Sequence, residues 1–284
     1  MNNKSTFSKI WEVFKPFLIY YILYNVVFVL LLSLCRAVAE GLGEEYLTAL
    51  TEHVNTVTGL VSGLSMLIGV LPLLPMLREE VREHRRSVHG TSAAKDHESG
   101  GEKGAESGKP GITAAQTVLT ILLAAASSLG LNVFLALTGL VDSSAAYQEV
   151  AERQYGVVLG LGLLLYGVVS PITEEIIFRG LIFNRMRRYM PHAAAVIVSG
   201  LLFGIYHGNW VQGFYGGCMG ILMAYLYERT HSFFTPCLFH ATANLVVYTT
   251  AQNASLQGLL FTIPGCAALL MISIVCVAVI ERRA

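Results

Sequence analysis

Apolar runs about as long as a membrane is thick recur along this chain, and they restrict its fold more than any other feature. Hydrophobic residues make up 54% of the 284 residues, charged residues make up 13%, and the mean hydropathy is +0.57. A soluble domain usually carries about 25% charged residues. A helix needs roughly 20 apolar residues to cross a bilayer, and inside lipid a helix satisfies all its own backbone hydrogen bonds. The sequence therefore predicts an all-α, polytopic integral membrane protein.

The apolar runs predict about eight transmembrane helices. They cover residues 14–35, 57–77, 112–140, 155–172, 193–207, 214–227, 233–250 and 259–280. The chain accordingly divides into two N-terminal transmembrane helices (1–77), a flexible polar cytoplasmic loop (78–111) and a six-helix membrane core (112–284).

Three shorter polar segments carry predictions of their own. Residues 78–86 are expected to extend the second helix into water, because charges of both signs alternate there. Residues 142–154 are expected to form a loop. Residues 181–190 place three arginines among apolar side chains, which favours a separate amphipathic helix at the membrane interface.

The distribution of basic residues predicts the orientation in the membrane. With eight spans and the N-terminus inside, only Arg36 and Arg153 of the 19 lysines and arginines fall on the non-cytoplasmic side. The positive-inside rule then predicts a cell-membrane protein with both termini in the cytoplasm. The formal net charge is zero, so the composition gives no indication of a nucleic-acid partner. The five cysteines form no CxxC pair and are interpreted as small buried residues.

The segment from Pro171 to Gly180 is the most unusual one, because two carboxylates and an arginine follow an apolar run. Ionisable residues at membrane depth are rare and usually face a partner or a cavity. In a helix, Glu175 and Arg179 stand four residues apart and can form an ion pair. Glu174 points about 100° away from that pair. The sequence therefore predicts one neutralised carboxylate and one that is available for chemistry.

Three more polar residues lie within apolar helices. His207 ends the fifth predicted span, four residues after Phe203, and His240 and Asn244 share one face of the seventh. The predicted orientation puts Glu174 near the cytoplasmic end of the fourth span and His207 near the opposite end of the fifth. Straight helices would hold these two side chains apart, whereas a helix break at Pro171 would bring them closer.

Together these motifs resemble those of the CPBP family, the CAAX proteases and bacteriocin-processing enzymes, also called Abi-type intramembrane proteases. The resemblance rests on Glu-Glu-xxx-Arg, Phe-xxx-His and His-xxx-Asn, which follow one another in order between residues 155 and 250. It implies a helical membrane core with a cavity open to the cytoplasm and hydrolysis of peptide bonds near the membrane. The first two spans and the polar loop lie outside the resemblance.

The resemblance also implies a role for each motif residue. Glu174 would act as general base and His207 would hold the attacking water with it, while His240 and Asn244 would donate hydrogen bonds to the oxyanion. Glu175 and Arg179 would brace the helix. Phe203 would pack beneath the site.

Metal-independent hydrolysis is expected. Zinc remains the alternative, with Glu174, His207 and His240 as ligands, although the sequence lacks the His-Glu-xx-His arrangement of many zinc peptidases. The expected partners are the lipid bilayer and a peptide or protein substrate. Neither the identity of the substrate nor an oligomeric state can be inferred from the sequence.

Two other function classes stay open. The motif set also occurs in proteins described as bacteriocin-immunity factors, so a non-catalytic immunity or membrane scaffold protein is the alternative to a peptidase. A transporter would be favoured by an internal repeat with paired broken helices, and the sequence shows no such repeat.

Overall fold

The structure is a computed structural model that describes residues 5–83 and 112–283. Within these ranges the chain forms helices, joined by short turns, and contains no β-strand. The helices are α1 (Thr6–Leu42), α2 (Glu44–Glu52), α3 (Val54–Glu83), α4 (Ala114–Leu137), α5 (Ala145–Tyr155), α6 (Leu159–Met186), α7 (His192–Tyr206), α8 (Trp210–Thr230), α9 (Phe234–Ala251), α10 (Ala254–Leu260) and α11 (Ile263–Arg283). The prediction of an all-α polytopic membrane protein is confirmed.

Five of these helices are long and apolar enough to cross a membrane: α1, α3, α4, α6 and α11. Helix α7 is apolar but shorter. Helices α8 and α9 have the length of a span but carry more polar side chains, because they line the interior of the protein. The number of eight spans therefore stays a prediction.

Local sequence signals explain where several helices begin. The Ser5 side chain caps α1, Thr113 and Gln116 form a reciprocal capping box at the start of α4, and Asn209 caps α8. These side chains satisfy backbone N–H groups that a helix start leaves without partners.

Two packed layers surround the site. On one side α1 lies along α3, and on the other α4 packs against α9 and α11. Helices α7 and α8 form the closest helix pair, since a Cβ atom added at Gly204 would lie 2.2 Å from the Gly213 carbonyl oxygen. Helix α6 runs between the layers and is covered on most of its surface.

Helix α6 differs from the prediction at both of its ends. The sequence predicted a span over 155–172 and a separate interfacial helix over 181–190, but one helix of 28 residues runs from Leu159 to Met186. Its final turns are buried, including the side chains of Leu181, Phe183 and Met186. The charged residues after Gly180 are accommodated by ion pairs with neighbouring helices, so the chain does not need to turn onto the membrane surface.

Pro171 bends α6 without ending it. Proline lacks an N–H group and its ring clashes with the carbonyl four residues earlier. The turns before it widen into a π-helix over Leu165–Val169, which relieves that clash, and a second π-helix follows over Ile176–Phe183. Glu174 and Glu175 lie in the α-helical turns between the two wide segments.

Of the two other polar segments, one prediction is confirmed in part and one was wrong. Helix α3 passes through a 3₁₀ turn at Pro72 and continues to Glu83, so the predicted helical extension is confirmed for residues 78–83. The remainder of the predicted loop, 84–111, lies outside the described residues. The predicted loop over 142–154 was wrong, because Ser144 caps a helix there, α5.

Candidate active site

Glu175 and Arg179 form a fully buried ion pair, as their spacing predicted. Arg179 donates from Nη1 to Glu175 Oε1 at 2.9 Å and from Nη2 to the Gly220 carbonyl at 2.8 Å, and neither charged side chain is exposed. The guanidinium also lies over the Phe203 ring, 4.8 Å from its centre. Arg179 thus connects α6 to both α7 and α8. The predicted orientation assigned Arg179 to the basic residues on the cytoplasmic side. Its burial inside the protein removes it from that group.

His240 is the third member of this buried group. Its Nδ1 atom lies 2.9 Å from Glu175 Oε1, and its Nε2 atom lies 3.9 Å from Glu174 Oε2. Since a carboxylate can only accept, Nδ1 carries the proton and Nε2 faces Glu174. The His240 imidazole of α9 therefore lies between the two glutamates of α6. Its Nδ1 atom is next to Glu175, and its Nε2 atom is next to Glu174.

Glu174 is buried and only half satisfied. Ser170, one turn earlier on α6, donates to Glu174 Oε1 at 2.6 Å, while Oε2 has no hydrogen-bond partner. Buried polar atoms without partners are uncommon and need an explanation. Six such side-chain atoms occur in the described part of the chain, and four of them belong to this site or border it: those of Glu174, Glu175, Arg179 and Tyr20.

Phe203 joins the parts of the site that come from α7 and α9. Its ring centre lies 5.4 Å from that of His240 and 4.9 Å from that of His207, both edge to face. His207 Nδ1 donates to the Phe203 carbonyl at 2.8 Å, so Nε2 keeps its lone pair. A Cβ atom added at Gly216 would lie 3.3 Å from His207 Nδ1, so this glycine makes room for the ring.

Asn244 is fixed by the first π-helix of α6. It donates from Nδ2 to the carbonyl of Tyr166 at 3.0 Å, and this leaves one amide N–H for another acceptor. Tyr166 lies within the widened segment Leu165–Val169. The wide turn in α6 thus orients a motif residue of α9.

The depth conflict predicted between Glu174 and His207 rests on the predicted end of the fourth span. Glu174 lies near the middle of α6, because that helix continues to Met186. His207 follows the last residue of the short helix α7, and Phe203 bridges it to His240. The predicted boundary of the fourth span was the source of the conflict.

The residues proposed as zinc ligands do not form a metal site in this geometry. Across residues 5–83 and 112–283, no three His, Cys, Asp or Glu side chains converge in a way that could hold a metal ion. His240 Nδ1 is bonded to Glu175, and His207 reaches the cluster through contacts of its ring with Phe203. Hydrolysis without a metal ion stays a prediction.

Several residues of the site were missed by the sequence analysis. Ser170 stands four residues before Glu174, and this i,i+4 spacing was a signal that could have identified it. Tyr166 acts through its backbone carbonyl, so it leaves no local sequence signal.

Comparison with known proteins identifies the same segment that carries the motif residues. Residues 157–246 match the family model described as Type II CAAX prenyl endopeptidase Rce1-like. The chain is also 33% identical over 87 residues to the membrane peptidase YdiL of Bacillus subtilis (strain 168), whose own name marks its activity as not established. That alignment covers 31% of this chain and 36% of the relative, so the chain spans about a third of the length of the curated relative it matches. No solved structure is significantly similar to this one. The resemblance to the CAAX-type intramembrane proteases is confirmed over residues 157–246.

Proposed function

We propose that this protein is an intramembrane endopeptidase that hydrolyses peptide bonds in membrane-associated or peptide substrates. The observation that supports this most directly is the buried cluster of Glu174, Glu175 and His240, within a segment that is similar to CAAX prenyl endopeptidases. A histidine between two carboxylates, inside an apolar protein, is costly to maintain for structure alone.

Glu174 is the proposed general base. Its Oε2 atom takes a proton from a water molecule while the water oxygen forms a bond to the carbonyl carbon, and the carbonyl electron pair moves to oxygen. When that pair returns, the C–N bond breaks and the protonated Glu174 gives its proton to the leaving amine. Ser170 holds Oε1 during these steps, which leaves Oε2 for the proton.

His207, His240 and Asn244 are the proposed supporting groups. The Nε2 lone pair of His207 accepts a hydrogen bond from the attacking water, because its Nδ1 proton is bonded to the Phe203 carbonyl. His240 donates to the oxyanion from Nε2 when both ring nitrogens carry a proton, while its Nδ1 stays bonded to the Glu175 carboxylate. The second N–H of Asn244 is the other donor. Fixed donors of this kind act strongly in a site that excludes water.

The peptidase is proposed to work without a metal ion, since the candidate ligands do not converge. The purified protein is then expected to contain much less than one zinc per chain and to keep its activity after treatment with a chelator. Metal analysis and cleavage assays on the wild type and His240→Ala test this. Stoichiometric zinc that is lost together with activity in His240→Ala would favour the zinc mechanism instead.

Both termini are proposed to lie in the cytoplasm. Ion pairs join the start of α1, the ends of α3 and α6 and the ends of α8 and α11 at one face of the molecule. These segments carry most of the basic residues, and under the positive-inside rule this supports a cytoplasmic location for that face.

A comparison of C-terminal peptides and secreted small peptides tests the proposed activity. Cells that express the wild type are compared with cells that express Glu174→Ala, and with cells that express Glu149→Ala. The Glu149 side chain on α5 is exposed and pairs with Arg153 of the same helix. Specific peptides should disappear in Glu174→Ala only.

The second candidate is a non-catalytic immunity or scaffold protein that keeps the fold. If Glu174→Ala is produced at the wild-type level and leaves the peptide pattern unchanged, the peptidase proposal is wrong and this second candidate is favoured.

A further inference from the structure

Asn25 is a polar residue in the middle of the lipid-exposed helix α1. Among the five helices that can cross a membrane, α1 is the least covered, with only 6% of its apolar part buried. The 20 residues between Lys15 and Arg36 carry no charge, and a helix of that length is about as long as the hydrocarbon core is thick. Asn25 lies ten residues after Lys15 and eleven before Arg36, so it is close to the middle of the bilayer.

The Asn25 side-chain amide is only partly satisfied. Its Nδ2 atom donates one proton to the Tyr21 carbonyl at 2.7 Å, one turn earlier on α1, and the described part of the chain offers it no second hydrogen bond. Asn25 is exposed, and lipid chains cannot form hydrogen bonds. The headgroups are about 15 Å away, beyond the reach of an asparagine. A single copy of α1 in lipid therefore leaves one N–H donor and the Oδ1 acceptor without partners.

Asn25 stands within an apolar seam on α1, formed by Leu18, Ile22, Asn25, Val29 and Leu32. The spacings alternate between four and three residues, which places these side chains on one side of the helix. Leu18, Ile22 and Val29 are exposed, and Leu32 is partly exposed. A seam with β-branched residues at one heptad position and leucines at the other favours two parallel helices, and one asparagine in such a seam fixes their register.

We propose that this α1 seam is the interface between two copies of this chain, related by a twofold axis along the membrane normal. All copies of a membrane protein insert with one orientation, so the two α1 helices are parallel and Asn25 lies at the same depth in both. The free N–H of each amide then donates to Oδ1 of the other, and both amides are satisfied.

A second copy fits this seam better than an unrelated partner. The symmetric interface presents the same patch on both sides, so a polar group that matches Asn25 in depth and chemistry is always present. An unrelated helix would need such a group by coincidence. The inference does not depend on the proposed peptidase function, because the seam is formed by exposed residues outside the matched segment 157–246.

Energy transfer between labelled copies tests the interface. The full-length protein is fused at its C-terminus to a donor or an acceptor fluorescent protein, and both forms are reconstituted together in phosphatidylcholine vesicles. Stepwise dilution with lipid gives the association constant in the bilayer for the wild type, Asn25→Leu, Asn25→Gln and Leu30→Ala. Leu30 is 63% exposed and lies about 140° around α1 from Asn25, so Leu30→Ala is the matched control.

The wild type should show energy transfer above the level of random collisions. Asn25→Leu should weaken association by about 3- to 30-fold, the range expected for hydrogen bonds between membrane helices. Asn25→Gln should keep most of the association because it keeps the amide, and Leu30→Ala should match the wild type. Wild-type energy transfer at the random level would overturn the inference, and so would equal association of the wild type and Asn25→Leu.

Disulfide cross-linking in membranes tests the symmetry of the interface. In a parallel pair a seam residue lies opposite its own counterpart, so Ile22→Cys should give linked dimers after oxidation. Leu30→Cys should not, and neither should the wild type, which controls for the native Cys35 of α1. Equal cross-linking of Ile22→Cys and Leu30→Cys would contradict the seam. Linkage of Ile22→Cys to a different protein only would show that another partner covers it, and the proposed pair of copies would be wrong.

Discussion

At the scale of single residues, the site depends on how two adjacent carboxylates are made different. Glu175 is shared by Arg179 and His240, whereas Glu174 receives one hydrogen bond from Ser170 and faces His240 at a longer distance. The helical spacing predicted this division, because only one of two neighbouring residues can face the residue four positions further on. Helical spacing could not identify His240 as the neighbour of Glu174, because His240 lies on another helix, α9.

Ser170→Ala is expected to reduce cleavage by about 10-fold, because the Glu174 carboxylate loses the donor that fixes its orientation. Ser127→Ala is the control, since the buried Ser127 hydroxyl donates to the Leu123 carbonyl of its own helix, α4, and contacts the Met219 sulfur rather than a motif residue. Rates on the same peptide check this. Similar losses in both variants would show that buried serines matter for packing alone.

The Arg179 ion pair is expected to be a stability determinant. Arg179→Met should destabilise the protein by about 3–5 kcal/mol, because the buried Glu175 carboxylate loses the positive charge that pairs with it. In the double variant Glu175→Gln, Arg179→Met the loss should be smaller than in Arg179→Met. Thermal unfolding in detergent measures both. A double variant that is less stable than the single one would contradict this explanation.

At the scale of helices, the close packing of α7 on α8 and the π-helical widening of α6 set the geometry of the site. Helices α7 and α8 approach through glycines, and this close contact brings Phe203 and His207 toward α6. The π-helices of α6 carry Tyr166 and Arg179 and place them opposite α9 and α8. Motif residues of α6, α7 and α9 therefore come together because α7 packs closely on α8 and α6 is widened.

Gly204→Ala should destabilise the protein by about 1–3 kcal/mol, because the added methyl group meets the backbone of α8 at 2.2 Å and cannot be accommodated by a side-chain movement. Cleavage should fall as well, since His207 would shift with α7. Gly160→Ala is the control, because a Cβ atom at Gly160 meets no atom within 4 Å. A Gly204→Ala protein as stable as the Gly160→Ala protein would show that α7 can move away without cost.

At the scale of the whole molecule, an ion-pair network joins the N-terminal helices to the rest. Arg185 donates to Glu80 at 2.7 Å and to the Glu12 carbonyl at 2.6 Å, and Arg188 contacts Glu12, Glu80 and Glu83. Partial burial lowers the pKa of Arg188, but these carboxylates outweigh it and raise that pKa above its usual range. The network ties α1 and α3 to the end of α6.

Glu80→Gln should weaken this connection, because the largely buried Arg185 loses its charged partner. We expect a lower unfolding midpoint and faster proteolysis between α3 and α4 than in the wild type. Glu40→Gln is the control, since the Arg36–Glu40 pair on α1 is exposed and contributes little. Unchanged proteolysis in Glu80→Gln would show that apolar contacts of α1 and α3 are sufficient.

The sequence alone determined the properties that depend on local spacing and composition. Runs of apolar residues require membrane helices, a four-residue spacing pairs Glu175 with Arg179, and the order of three motifs identifies the segment that matches known peptidases. The tertiary structure decided the properties that depend on contacts between distant segments. Arg185, in the last turn of α6, can be buried because Glu80 of α3 pairs with it. His240 lies between two glutamates because α9 packs on the widened part of α6. Arg179 bonds to the Gly220 carbonyl of α8, 41 residues away in the sequence, and no local pattern encodes such a contact.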